Sequence, residues 1–424
     1  MARFSSSSWL QINKKASPGL DGDTTPPPPG EPLWTGNFVR VWIINLALCT
    51  WGFMLNAPFT FYVLELGGDE FLAGIAAGGF AMSALAIRPF AGWILDHNSR
   101  KSLLTWGTIF LIIFSLLLML VPILAIAILL RILSGVLFSG AGTGCVTNAC
   151  DTIPQSRFGE GLGFLGLGNS LATALGPAIG LAIIASLGFP HLFAASAAAL
   201  LLAILMTRGF SFKEVAGGSD TEGQEKIKLS TLFNADALPA SVVMLFSGVP
   251  YGAISVFIAL YGAVYGLGSG VWFFILVAVG TGSTRLVSGR IADKKGEQPM
   301  IIAGNGGFLI ALLLLLVENS ACYYVSGLFF GIGFGVSIPA MQSMAMRIVP
   351  MERRGSASST YQCSYDVSSG IGGVVAGWLV TIWGYHAMFA ALCVFIVISM
   401  LLYFFWAAKT PSAFKVYMRN RQQG

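Results

Sequence analysis

Arg88-Pro89-Phe90-Ala91-Gly92-Trp93-Ile94-Leu95-Asp96 is echoed by Arg285-Leu286-Val287-Ser288-Gly289-Arg290-Ile291-Ala292-Asp293. Arginine, glycine and aspartate recur at one offset, 197 (285 − 88). Further on, Arg157, Gly159 and Gly176 correspond to Arg353, Gly355 and Gly372 at an offset of 196 (353 − 157). Charged residues recurring beside loops imply a chain built from two similar halves. Between the halves lies the longest polar stretch, rich in Gly, Lys and Glu.

The residues around these repeats are apolar. Of 424 residues, 55% are hydrophobic and 10% charged, against about 25% charged in ordinary soluble domains. So few charges cannot cover a water-exposed surface. Six cysteines (49, 145, 150, 322, 363 and 393) lie mostly within apolar stretches, without metal-ligand spacing or a small secreted chain to staple. A barrel would show short alternating segments, whereas 109–120 and 395–405 are apolar on every face. The chain therefore reads as an all-α polytopic membrane protein.

Setting aside the polar ends and centre leaves about 29 residues for each of twelve segments, room for a spanning helix of about 20 and a short turn. The spans are expected to begin near Asn37, Glu70, Lys101, Ile123, Gly161, Phe189, Leu238, Gly270, Gln298, Ser320, Ser356 and Tyr385. This divides the chain into a disordered cytosolic tail (1–36), a six-helix bundle (37–209), a cytosolic loop (210–236), a second bundle (237–409) and a cytosolic tail (410–424). The head has neither the apolar core nor the cleavage site of an export signal.

With the head inside, Arg100, Lys101, Arg157, Lys213, Lys294, Lys295, Arg353 and Arg354 all fall in cytosolic connections, while the outward turns hold Glu65, Asp69, Glu70 and Glu318 and no Lys or Arg. This is the positive-inside bias. It accounts for the net charge of +5 and gives no support to nucleic-acid binding. Both termini are expected in the cytosol of a cell-membrane protein.

The loop Gly92-Trp-Ile-Leu-Asp96-His-Asn-Ser-Arg100-Lys101 resembles the signature Gly-x-Leu-Ala-Asp-Arg-x-Gly-Arg-Lys of the major facilitator superfamily, with His97 for Arg and Ser99 for Gly. The second copy keeps Gly289 and Asp293 but continues Glu297-Gln298. The resemblance spans residues 37–408 and implies two pseudo-symmetric six-helix bundles, twelve helices in all, like the drug/proton antiporter-like exporters. It also implies a latch formed by Gly92, Asp96, Arg100, Lys101, Gly289 and Asp293. A carboxylate at Asp96 could accept from the open amides at the start of the eleventh span. The alternative is a plain turn bearing positive-inside charges.

Gly176-Pro177-Ala-Ile-Gly180 resembles the family's antiporter-associated Gly-Pro motif, with Leu181 where a second Gly is usual. An ordinary packing kink is the competing reading. Family geometry places the first, fourth, seventh and tenth helices around a cavity. Matching positions are Asn45, Asn56, Asn148, Tyr251, Tyr261 and Gln342, each as readily a helix-joining residue as a substrate contact. The family default is a monomer.

Two charges fall deep within the spans. Arg131 lies about 14 Å into the fourth helix and Asp366 about 15 Å into the eleventh. Each costs about 2.5–3.5 kcal/mol to insert, which marks it as functional by default. Asp366 could take a proton from one side and release it on the other, with Tyr365 nearby. Arg131 could tune it or hold an anionic group; a static Arg131–Asp366 pair is the competing reading. Arg88 and Arg285 lie closer to the cytosol and can snorkel.

Neither a phosphate-cradling Gly-x-x-x-x-Gly-Lys nor a Ser-His-Asp arrangement is present, and histidines 97, 191 and 386 are too scattered for a metal site. The expectation is no enzyme, no metal and no cofactor. The chain is expected to move a small, partly hydrophobic molecule by alternating access, as proton-coupled efflux driven by the proton gradient. The alternative is an uptake symporter or uniporter for a sugar or organic acid.

Overall fold

The computed structural model describes residues 32–97, 100–154, 157–208, 234–347, 349 and 354–409, with side chains outside the description at 89–97, 100, 158–159, 286–295, 354–355 and 409. Helices account for almost all of it. In the first half they are α1 (Gly36–Glu65), α2 (Glu70–His97), α3 (Arg100–Leu120), α4 (Leu124–Thr152), α5 (Phe158–Leu187) and α6 (Phe189–Arg208). In the second they are α7 (Leu238–Val264), α8 (Gly270–Lys295), α9 (Gln298–Leu315) and α10 (Ser320–Arg347). The last stretch, Arg354–Phe405, is broken at Gly384, whose φ of 80° leaves the helical region. It is therefore two helices, α11 (354–383) and α12 (385–405).

Among the described residues ten stretches are long and apolar enough to cross a membrane, one of them the Gly384-broken pair, and α8 contributes a shorter apolar one, Gly270–Arg285. The multi-pass reading rests on this, together with the apolar side chains left on the outside. On α3, Trp106, Phe110, Ile113, Leu117 and Leu120 are all exposed; in water such a face would demand a partner, in lipid it needs none.

Inside the bilayer, polar groups must be satisfied internally. Hydroxyls do so by donating one turn back along their own helix, as Thr108 does to Leu104 O and Ser115 to Leu111 O. In the second bundle, Ser247 and Ser337 donate to Asn305 Oδ1 at 3.0 and 3.2 Å, joining α7, α9 and α10 in one network.

Each helix has one end beside the basic connections and one beside the acidic turns. At the acidic ends the bundles are pressed together. Gly74 and Gly78 of α2 meet the backbone of α11 at Gly373, Gly377 and Gly370, with no space for a Cβ. Beside them Thr60 Oγ1 of α1 donates to Val256 O of α7 at 3.1 Å.

Within bundles, small residues play the same part. Gly176 and Gly180 of α5 lie against Phe53, Met54 and Pro58 of α1. Gly327, Gly331 and Gly335 of α10 lie against Phe273, Val277 and Thr281 of α8. The i+4 row on α10 is thus a packing face inside one bundle.

Candidate functional site: a cavity between the bundles

With the acidic ends sealed, space remains between the bundles from mid-depth toward the basic ends. The cavity has a volume of about 380 Å³, within the range of about 300–1,000 Å³ typical of small-molecule sites. Asn56, Ala77 and Val256 form its inner limit, and Asn45, Thr147 and Gln362 lie toward the basic ends. One wall is aromatic: Phe53, Phe80, Phe138, Tyr251 and Tyr365. Tyr251 links Tyr365 to Phe334, with ring centroids 5.6 and 4.8 Å away. Amides line it too, and there Asn45 donates to Asn169 Oδ1 at 2.7 Å.

Asp366 lines this cavity and is 9% exposed. Its partner is Arg88 of α2, with Nε 2.6 Å from Oδ2. The contact is a close ion pair rather than an aligned hydrogen bond. It crosses from one bundle to the other. The static Arg131–Asp366 pair does not form, because Arg131 is turned toward α1 and α2. There Nη2 donates to Asn56 Oδ1 at 2.5 Å, and the guanidinium lies 4.2 Å from the Phe80 ring centroid and 5.6 Å from that of Phe59. Its Nη1 has no hydrogen-bond partner among the described residues. Arg131 is 2% exposed and sits behind the cavity's inner wall.

Arg88 does not snorkel, contrary to its sequence position; it reaches into the cavity. Ala77, Ala81, Ala84 and Arg88 share one cavity-lining face at helical spacing. Distance from the membrane edge hid this; the periodicity of small residues ending at Arg88 would have shown it. Arg285 of α8 likewise contacts Ser170 of α5 across the bundles.

Asn45, Asn56, Tyr251 and Tyr365 line the cavity; three other expected lining residues do not. Asn148 is 2% exposed and donates to Gly144 O of its own helix. Tyr261 donates to Leu315 O and packs on Tyr265, Tyr385 and Phe389 near the acidic ends. Gln342 lies near the basic end of α10, outside the lining. Pro177 borders a small apolar recess with Phe53, Tyr251 and Phe334. Lys101 is exposed. The side chains of Gly92, Asp96, Arg100, Gly289 and Asp293 lie outside the described residues.

The sequence profile of the Major Facilitator Superfamily matches residues 41–317 and 272–419. The chain belongs to this family. Family membership makes it a membrane transporter and not an enzyme. Among curated relatives, the multi-drug resistance efflux pump PmrA of Streptococcus pneumoniae (strain TIGR4) is 27% identical over 384 residues, 85% of this chain and 92% of the pump. The staphylopine export protein of Staphylococcus aureus (strain Mu50) is 21% identical over 397 residues, 88% of this chain and 96% of that protein. The crystal structure of a mutant of the nucleoside transporter NupG superposes with a TM-score of 0.70 at 13% identity, covering 88% of this chain and 99% of that one. At that identity the superposition establishes the fold alone: a major facilitator of two six-helix bundles.

Proposed function

We propose that the protein exports a small, partly hydrophobic molecule in exchange for protons. The observation that carries this reading is one carboxylate, Asp366, paired with Arg88 in a cavity between the bundles that is lined mainly by aromatic, amide, hydroxyl and small apolar residues. A proton on Asp366 neutralises it and frees Arg88; its release restores the pair. The names of the related exporters support the direction. The basic connections are cytosolic by the positive-inside bias, which puts both termini in the cytosol and opens the cavity inward. The carrier works as a monomer in the cell membrane, powered by the proton gradient, with no cofactor. Asp96 and Asp293 latch the cytosolic side shut, and the Gly176-Pro177-Gly180 bend of α5 serves the antiporter cycle.

Inside-out vesicles carrying the purified protein, with an imposed pH gradient and a panel of lipophilic dyes, test this. Dye accumulates and is lost again when the gradient is collapsed. Asp366→Asn abolishes gradient-driven accumulation. Persistence of transport with its pH dependence in that variant, or net movement in the opposite direction, contradicts the reading.

A further inference from the structure

Arg131 and Gly135 stand one turn apart on α4. Gly135 lies against Phe80 O of α2 with no space for a Cβ, and this close approach sets the Phe80 ring over the guanidinium. A guanidinium carries donors and no acceptor. What it meets on Asn56 is therefore the amide oxygen, and Oδ1 is the atom at Nη2. Amide oxygen and nitrogen are told apart by such partners, and this partner leaves one choice. Among the described residues the bond to Oδ1 is also the guanidinium's one hydrogen bond. Turning the amide over would set two donors face to face and strip a buried cation of its acceptor.

The nitrogen of Asn56 is thus turned away from Arg131. Asn56 lines both the main cavity and the small apolar recess beside it, and no described residue accepts from its Nδ2. Toward the basic ends Asn169 repeats the arrangement. Its Oδ1 accepts from Asn45 at 2.7 Å and from Cys49 at 3.2 Å, which leaves its nitrogen to the cavity.

We propose that Arg131 is a positioning residue that fixes Asn56 as a hydrogen-bond donor. The site then takes partly hydrophobic molecules that carry an acceptor, a ketone, ester or amide carbonyl, seated against Asn56 at the inner limit of the cavity. The apolar body lies along Phe53, Phe80 and Phe138. A molecule of the same shape without an acceptor strips water from the N–H and returns nothing, so it binds more weakly. The guanidinium stays behind Asn56 and Phe80 and touches no ligand. The inference rests on the cavity as the site of the transported molecule and adds the chemistry it selects, read by binding without a proton gradient.

The test uses the full chain in lipid nanodiscs, dialysed to equilibrium against protein-free nanodiscs with two pairs of aromatic probes. Naphthyl methyl ketone has a carbonyl acceptor, and isopropenylnaphthalene has its shape without one. Carbazole has an N–H donor, and fluorene has its shape without one. The unmodified protein binds the ketone roughly tenfold more tightly than its isostere. Asn56→Asp keeps an oxygen for Arg131 but has no N–H to give, and the preference is lost. The double variant Asn56→Leu, Arg131→Met loses it too while binding both naphthalenes. In Arg131→Met the amide is free to turn, and the ratio of carbazole to fluorene affinity rises roughly threefold. Equal binding of the two naphthalenes by the unmodified protein overturns the proposal, as does a ketone preference that survives Asn56→Asp. A carbazole ratio unmoved in Arg131→Met overturns the positioning role of Arg131. Binding of neither naphthalene overturns the proposal together with the cavity as the site. Full discrimination without gradient-driven dye accumulation would instead count against the export reading alone.

Discussion

Arg131 holds a charge in the bilayer with one amide and two rings around it. Its hydrogen bond to Asn56 and the Phe80 face 4.2 Å away replace the water it has lost. Asn56→Leu removes that amide and leaves the cation short of a partner, so it destabilises the protein by about 1–3 kcal/mol. Adding Arg131→Met removes the orphaned charge, and most of the stability returns. Thermal unfolding of the two single variants and the double variant in detergent checks this; a double variant as unstable as the sum of the singles contradicts it. The depth of Arg131 and Asp366 was legible from counting residues into each span. Their partners were not. Partner choice depends on which way each helix is turned about its axis, and Arg88 faces Asp366 because it shares a face with Ala77, Ala81 and Ala84.

Two sets of glycines on the helices act differently because of what they touch. Gly180 abuts Met54 O and Pro58 within its own bundle, so Gly180→Val forces α5 and α1 apart in every state of the cycle. Its effect is a loss of stability of about 1–3 kcal/mol, read by thermal unfolding. Gly78 abuts Gly370 O and Val374 of the other bundle, a contact present only while the acidic ends are closed. Gly78→Leu therefore costs the closed state selectively and raises the share of molecules open at the acidic ends. Spin-label distances across the acidic ends of α2 and α11 lengthen in that variant; unchanged distances would refute the selective effect. Helix positions were readable from hydropathy: spans expected at Glu70, Phe189, Leu238, Gly270, Gln298 and Ser320 begin at those residues. The break before Tyr385 is a single glycine at φ 80°, a turn so short that α11 and α12 form one nearly continuous helical stretch. What hydropathy could not give is which glycine row faces a neighbour in its own bundle and which faces the other bundle.

For the whole molecule, the internal repeat decided the architecture and paired Arg88 with Arg285, but it did not show that each reaches across to the other bundle. The cavity was less legible. Asn148 and Tyr261 sit on the helices expected to surround it, yet both are turned into packing within their own bundles. In the proposed cycle the cavity is reached from the basic ends and stays sealed at the acidic ends until the bundles rock. Cys49 lines that cavity and serves as a native reporter. The deciding measurement is the labelling of a variant that retains Cys49 alone, by a membrane-impermeant maleimide applied to either face of sealed vesicles. Rapid labelling is expected from the face bearing the basic connections and little from the other, with added Gly78→Leu raising labelling from the acidic face. Equal labelling from both faces, or none from either, would contradict it.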